Sequence, residues 1–108
     1  MLKYEIIKVA GKDRPIKFGF WALGQFCKEC DIKLSELGLL EKNLDLNQAL
    51  TLIWVGLKDG ARAAGVDFNL TKPEIGDAMD MDQELLPKAL DVFTKFQAQP
   101  KKEKAAKK

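Results

Sequence analysis

The sequence predicts an α+β fold, an N-terminal β-hairpin followed by a compact bundle of about four to five α-helices. Three observations carry this. Residues 2–9 are rich in Tyr, Ile and Val and lead into turn chemistry at Gly11. From position 20 onward, apolar residues recur at helical spacing. Asp45 and Thr71 stand where helix N-caps belong, each ahead of a helical pattern. At 108 residues the length suits one domain, read as residues 1–97, with 98–108 as a disordered lysine-rich tail.

Composition narrows the class. Hydrophobic content of 46% and charged content of 31% are those of a folded globular chain and argue against wholesale disorder. No apolar run approaches the roughly 18 residues that a membrane span needs. The opening Met-Leu-Lys-Tyr-Glu-Ile-Ile-Lys has no signal-peptide core, so the cytoplasm is the expected compartment. The net charge of +2 is uneven: residues 101–108 hold five lysines and one glutamate, and subtracting their +4 leaves the body at −2. The body has only two arginines, Arg14 and Arg62, too few for the clustered basic face of a nucleic-acid binder.

In chain order, residues 2–9 form the first strand, with imperfect alternation because Ile6 and Ile7 are adjacent. Gly11-Lys12-Asp13 is the expected turn, and residues 15–18 return as an edge strand that tolerates Pro15. A lone hairpin is marginally stable, so it must pack on the helices. Residues 20–30 are helical, with Phe20, Leu23, Phe26, Cys27 and Cys30 on one face and Gln25, Lys28 and Glu29 opposite. Trp21 falls on the polar side. Residues 31–38 suggest a short helical turn, capped by Asp31 or Ser35 and stopped by Gly38.

Residues 45–64 form the central helix, from an Asp45 N-cap to a Gly65 stop. Its polar residues, Asn47, Gln48, Thr51, Lys58, Asp59 and Arg62, share an arc of roughly 120° at helical spacing. Val55 is the apolar intruder in that arc. Thr71-Lys72-Pro73-Glu74 is a capping box that opens a short helix over 73–79. Residues 82–96 are the last helix, with Leu86, Ala89, Leu90, Phe93 and Phe96 on one face and a true start near Leu86 or a loose first turn to suit Pro87. No internal repeat or interdomain linker interrupts this order.

Motifs with chemistry are few. Cys27-Lys28-Glu29-Cys30 is a C-x-x-C, but a structural zinc site wants four ligands, and the chain has two cysteines and no histidine. Redox-active pairs use a helix N-terminus, whereas this one lies near a C-terminus on an apolar face. We therefore read both as reduced core thiols. The carboxylates Asp80 with Asp82, and Glu74 with Asp77, lack a neighbouring base and suit caps and solvated faces. Gly56 and Gly60, four apart on the buried helix, suit a close helix crossing. A helix-turn-helix over 71–96 would set acidic helices among phosphates. The sequence accordingly predicts no enzyme, no cofactor and no metal. Trp21 and Val55 are the candidate partner-binding residues, each an apolar side chain on an otherwise polar face, and together a patch if adjacent.

Pro15-Ile-Lys-Phe-Gly-Phe-Trp-Ala-Leu-Gly-Gln-Phe26 runs an extended segment through Gly19 directly into a helix. Gly56-Leu57-Lys58 closes the leucine-rich stretch of the central helix, and Leu70-Thr71-Lys72-Pro73-Glu74-Ile75-Gly76-Asp77 follows as a capped helix. In this order, over about residues 3–97, the chain resembles the tail assembly chaperones of long-tailed phages and prophages. Trp21 departs from the smaller polar residue expected at its position. The resemblance implies a non-catalytic protein of the bacterial host cytoplasm, absent from the mature virion. It would bind the tape measure protein of its own operon, assist tail tube subunits, and self-associate. Members of that family are often made with a frameshifted longer form from the same start. The rival classes are a small DNA-binding regulator and a structural head–tail adaptor, and the genes on either side discriminate among all three.

Overall fold

The protein is described by a computed structural model covering residues 4–33, 35–36 and 44–107, with backbone alone for 97–107. Its fold is α+β: a two-stranded antiparallel hairpin followed, among the described residues, by four helices. Strand β1 (Glu5–Val9) pairs with β2 (Lys12–Ile16), from Glu5 opposite Ile16 to Val9 opposite Lys12. The turn is Ala10-Gly11, one residue earlier than Gly11-Lys12-Asp13, and β2 begins at Lys12 rather than Pro15. A two-residue loop with both central φ positive matches the strand twist, and Ala10 and Gly11 have φ of 56° and 80°. The adjacent isoleucines serve opposite faces: Ile7 is buried with Val9, and Ile6 faces out.

Helix α1 spans Phe20–Cys30, α2 Leu46–Ala64, α3 Lys72–Met81 and α4 Leu85–Lys107. Asp31 does not start the next turn. It ends α1 in a left-handed conformation (φ 54°), its N–H donating to the carbonyl of Cys27. Residues 35–36 form a short 3₁₀ turn, and Gly38 lies outside the described residues. The box of α2 closes both ways: Gln48 N–H donates to Asp45 Oδ1 at 2.8 Å, and Asp45 N–H to Gln48 Oε1 at 3.0 Å. Thr71 and Glu74 form the same box on α3, which runs two residues further than 73–79. Helix α4 begins at Leu85, so Pro87 sits in the first turn, where its missing N–H would have had no helical partner. The backbone of α4 continues helically to Lys107, past the Phe96 at which the sequence reading ends it. The stretch is mostly Gln, Ala and Lys, good helix formers, but includes Pro100, which opposes a helix interior.

α2 is central as expected, touching β2, α1, α3 and α4. Its two glycines set how closely the hairpin docks. A methyl group at Gly60 would overlap the backbone of Pro15 and Ile16, and one at Gly56 would overlap the ring of Phe18. At this separation the N–H of Lys17 donates to the carbonyl of Gly56 at 2.9 Å. Phe18 drops past α2 onto α4, edge-on to Phe93 at 5.4 Å and to Phe96 at 6.4 Å between ring centroids. The core therefore runs from Ile7, Val9 and Ile16 through Phe18 to Leu52, Ile53 and Phe93.

Gly60→Ala should destabilise the domain by about 2 kcal/mol or more, because Pro15 backbone cannot yield as a side chain can. Gly24→Ala meets open space and should stabilise by about 0.5–1 kcal/mol through helix propensity. Urea unfolding of both variants measures the contrast, and equal effects would refute the packing argument.

Candidate partner surface at the hairpin-to-helix join

The join between β2 and α1 is held by a buried carboxylate. Gly19 N-caps α1 without a side chain, and its N–H donates to Asp59 Oδ2 at 3.2 Å. Asp59 is fully buried, and its Oδ1 accepts from Arg62 Nη2 at 2.8 Å. The Arg62 guanidinium lies 5.0 Å from the Trp21 ring centroid, a cation–π contact. One chain of contacts thus links α2 to the first turn of α1. Trp21, 37% exposed, covers Arg62 with one face while its edge reaches solvent.

Val55 does not join it. Its side chain is wholly buried, so it offers no partner surface. The reason lies in the row Thr51, Val55, Asp59, spaced four apart on α2. Thr51 lies near Cys30 at one end, and Gly19 N–H donates to Asp59 at the other. Helix α1 therefore runs antiparallel over this row, so the Thr51–Val55–Asp59 part of the polar arc is an inter-helix contact while Asn47 and Arg62 stay exposed. Thr51 is satisfied within it by donating to the carbonyl of Asn47 at 2.9 Å.

The aromatic beside Trp21 is Phe20. Expected on the core stripe, it is 82% exposed. The buried stripe of α1 centres on Ala22, Leu23 and Phe26, which leaves Phe20 facing outward above the exposed Gly24. The signal in the sequence was positional: a residue at the first helical position has no preceding turn to pack under. A second aromatic site is Trp54, half-buried, with Nε1 donating to the Leu70 carbonyl at 3.1 Å and Lys58 and Lys72 at 4.4 and 5.1 Å from its ring. Lys72 also pairs with Glu29 at 3.0 Å, tying α3 to α1.

Cys27 and Cys30 are half-buried free thiols packed against the core cluster. Burial pushes both thiols above their ordinary pKa. Glu36 adds to this at Cys27, whereas the Thr51 hydrogen bond partly offsets it at Cys30. Glu74 and Asp82 act as caps, Glu74 Oε1 accepting from Thr71 N–H at 2.8 Å and Asp82 Oδ1 from Glu84 N–H at 3.0 Å. Among the described residues, no group of three or more Cys, Asp or Glu is placed to hold a metal ion, and no helix is long and apolar enough to cross a membrane.

Comparison with protein-family models, curated proteins and solved structures finds no match for this chain.

Asp59→Ala should cost about 1–3 kcal/mol, since it strips the acceptor from Gly19 N–H inside the fold. Asp59→Asn keeps an acceptor and should cost less; thermal melting of the pair decides it, and a silent Asp59→Ala would remove the anchor from the account. Both cysteines should label slowly at pH 7, because a raised pKa leaves less thiolate than in an ordinary cysteine. The rate should climb as pH rises above the ordinary thiol range, and denatured chain should label fast at every pH. Fast labelling of the native protein at pH 7, or stoichiometric zinc, would contradict this.

Proposed function

We propose that this domain is a non-catalytic assembly chaperone of a phage or prophage tail operon. It holds the tape measure protein of that operon in solution, helps tail tube subunits assemble around it in the host cytoplasm, and is absent from the finished virion. The carrying observation is the aromatic pair Phe20–Trp21, exposed at the Gly19 join that also carries the resemblance. The resemblance supplies the client, and the aromatic pair supplies a means of binding it.

The pair suits amphipathic helices. Phe20 offers nearly its whole ring, and two adjacent aromatics supply large contact area with few rotatable bonds. Trp21 is held against Arg62, which the buried Asp59 fixes in turn, so little side-chain entropy remains to be lost on binding. Val55 takes no part, and the surface is confined to the first turn of α1.

Co-expression tests the reading. The tape measure protein should be insoluble alone and soluble with this domain. Trp21→Glu and Phe20→Glu should leave the fold intact, and each should weaken client binding by more than about 1–2 kcal/mol, roughly tenfold. A client equally soluble without the domain would refute the chaperone reading. Unfolding of the Trp21→Glu variant would make Trp21 a core residue and misplace the surface.

A further inference from the structure

Away from the Phe20–Trp21 turn, a groove of about 570 Å³ separates the β1–β2 turn from α3. Its apolar lining comes from Leu70, Ala78 and Met81, together with the backbone-rich wall of Ala10 and Gly11. Met81 is 87% exposed, the most exposed of the large apolar side chains described. An unbranched thioether in solvent adapts its shape to whatever helix face it meets.

The rim of this groove is acidic. Glu74, Asp77 and Asp82 line it against one cation, Lys8, and Asp77 belongs to none of the ion pairs among the described residues. An apolar trough with an acidic margin complements a segment whose apolar side chains are flanked by Lys or Arg. It repels an acidic segment of equal hydrophobicity. The volume is in the range of sites that hold a drug-sized ligand, room for a few side chains of a docked segment rather than for a whole helix.

We infer that this groove is a docking site for a basic amphipathic segment of a partner protein, one or two of whose apolar side chains enter between the hairpin turn and Met81. Asp77 and Asp82 select for cationic flanks. The chemistry of the segment follows from the groove alone; its assignment to the tail client rests on the reading proposed above.

The test uses the full-length protein and two fluorescently labelled peptides of about 18 residues, five helical turns, with one hydrophobic pattern: one built of Leu and Lys, the other of Leu and Glu. The Leu–Lys peptide should bind, and the Leu–Glu peptide should not. Asp77→Lys and Met81→Ser should each weaken binding more than about fivefold, with melting temperature unchanged. Asp80→Lys, one residue off the lining, should weaken it less. Binding that these variants leave untouched, or equal binding of both peptides, overturns the inference. So does a full-length variant with Gln in place of Lys101, Lys102, Lys104, Lys107 and Lys108 that binds the Leu–Lys peptide more than about fivefold tighter, since the protein's own tail would then occupy the groove. A dimer that Met81→Ser converts to monomer assigns the groove to a second copy and overturns it equally. The two proposals fail separately. A client still solubilised by the Asp77→Lys protein removes the groove but leaves the chaperone reading, whereas a client never solubilised removes that reading and leaves the peptide result standing.

Discussion

The hairpin can dock only because α2 has no side chains where the hairpin crosses it. At Gly60 the helix meets the backbone of Pro15 and Ile16, and at Gly56 it meets the ring of Phe18. A two-stranded hairpin alone is marginal in water, so this contact is what makes β1 and β2 part of the fold. Its geometry also brings Lys17 N–H within hydrogen-bonding distance of the Gly56 carbonyl. Two glycines inside a helix cost about 1 kcal/mol each relative to alanine. That cost is offset by burial of Ile16 and Phe18, each of which gains about 1.5–3 kcal/mol on leaving water.

From that contact the surface follows. Once β2 is held against Gly56 and Gly60, Gly19 arrives beside Asp59, and α1 starts where its first N–H can be satisfied by a buried carboxylate. The same step lays α1 over Thr51, Val55 and Asp59, turning that part of the polar arc into an inter-helix contact. It leaves Phe20 outside the stripe and sets Trp21 over Arg62. The apolar groove beside Met81 lies at the other end of the hairpin, formed by its turn and the acidic face of α3. Scaffold and candidate binding surfaces thus share one origin, the docking of the hairpin.

Elements with local chemical signals were legible in the sequence. Asp45, Thr71 with Glu74, and Gly65 announce their helix ends through side-chain reach and backbone freedom, and the structure has them in those roles, adding Gln48 as the partner that closes the box on Asp45. The spacing of Gly56 and Gly60 pointed to a close helix crossing. The close approach is there, but the element that crosses is the hairpin, since a bare helix surface admits a strand as readily as a helix. What sequence could not give was the direction from which α2 is covered. A polar arc at helical spacing looks the same whether water or another helix lies against it, and only the burial of Thr51, Val55 and Asp59 and the Gly19–Asp59 bond decide between them. Val55 was misplaced for that reason. Phe20 was misplaced because periodicity treats the first residue of a helix like any other. The turn at Ala10-Gly11 was missed because alanine seldom takes a positive φ, so Gly11 alone drew attention.

If the docked join is the constraint that holds the fold together, the amides of Lys17 and Gly19 should open only when the whole domain unfolds. Native-state hydrogen exchange measures this directly. The account predicts that both amides exchange with the same free energy as those at the centre of α2, around Ile53 and Leu57. If Lys17 and Gly19 exchange several kcal/mol more easily than that while α2 stays protected, the hairpin undocks by itself and the glycine contact is not what the fold depends on.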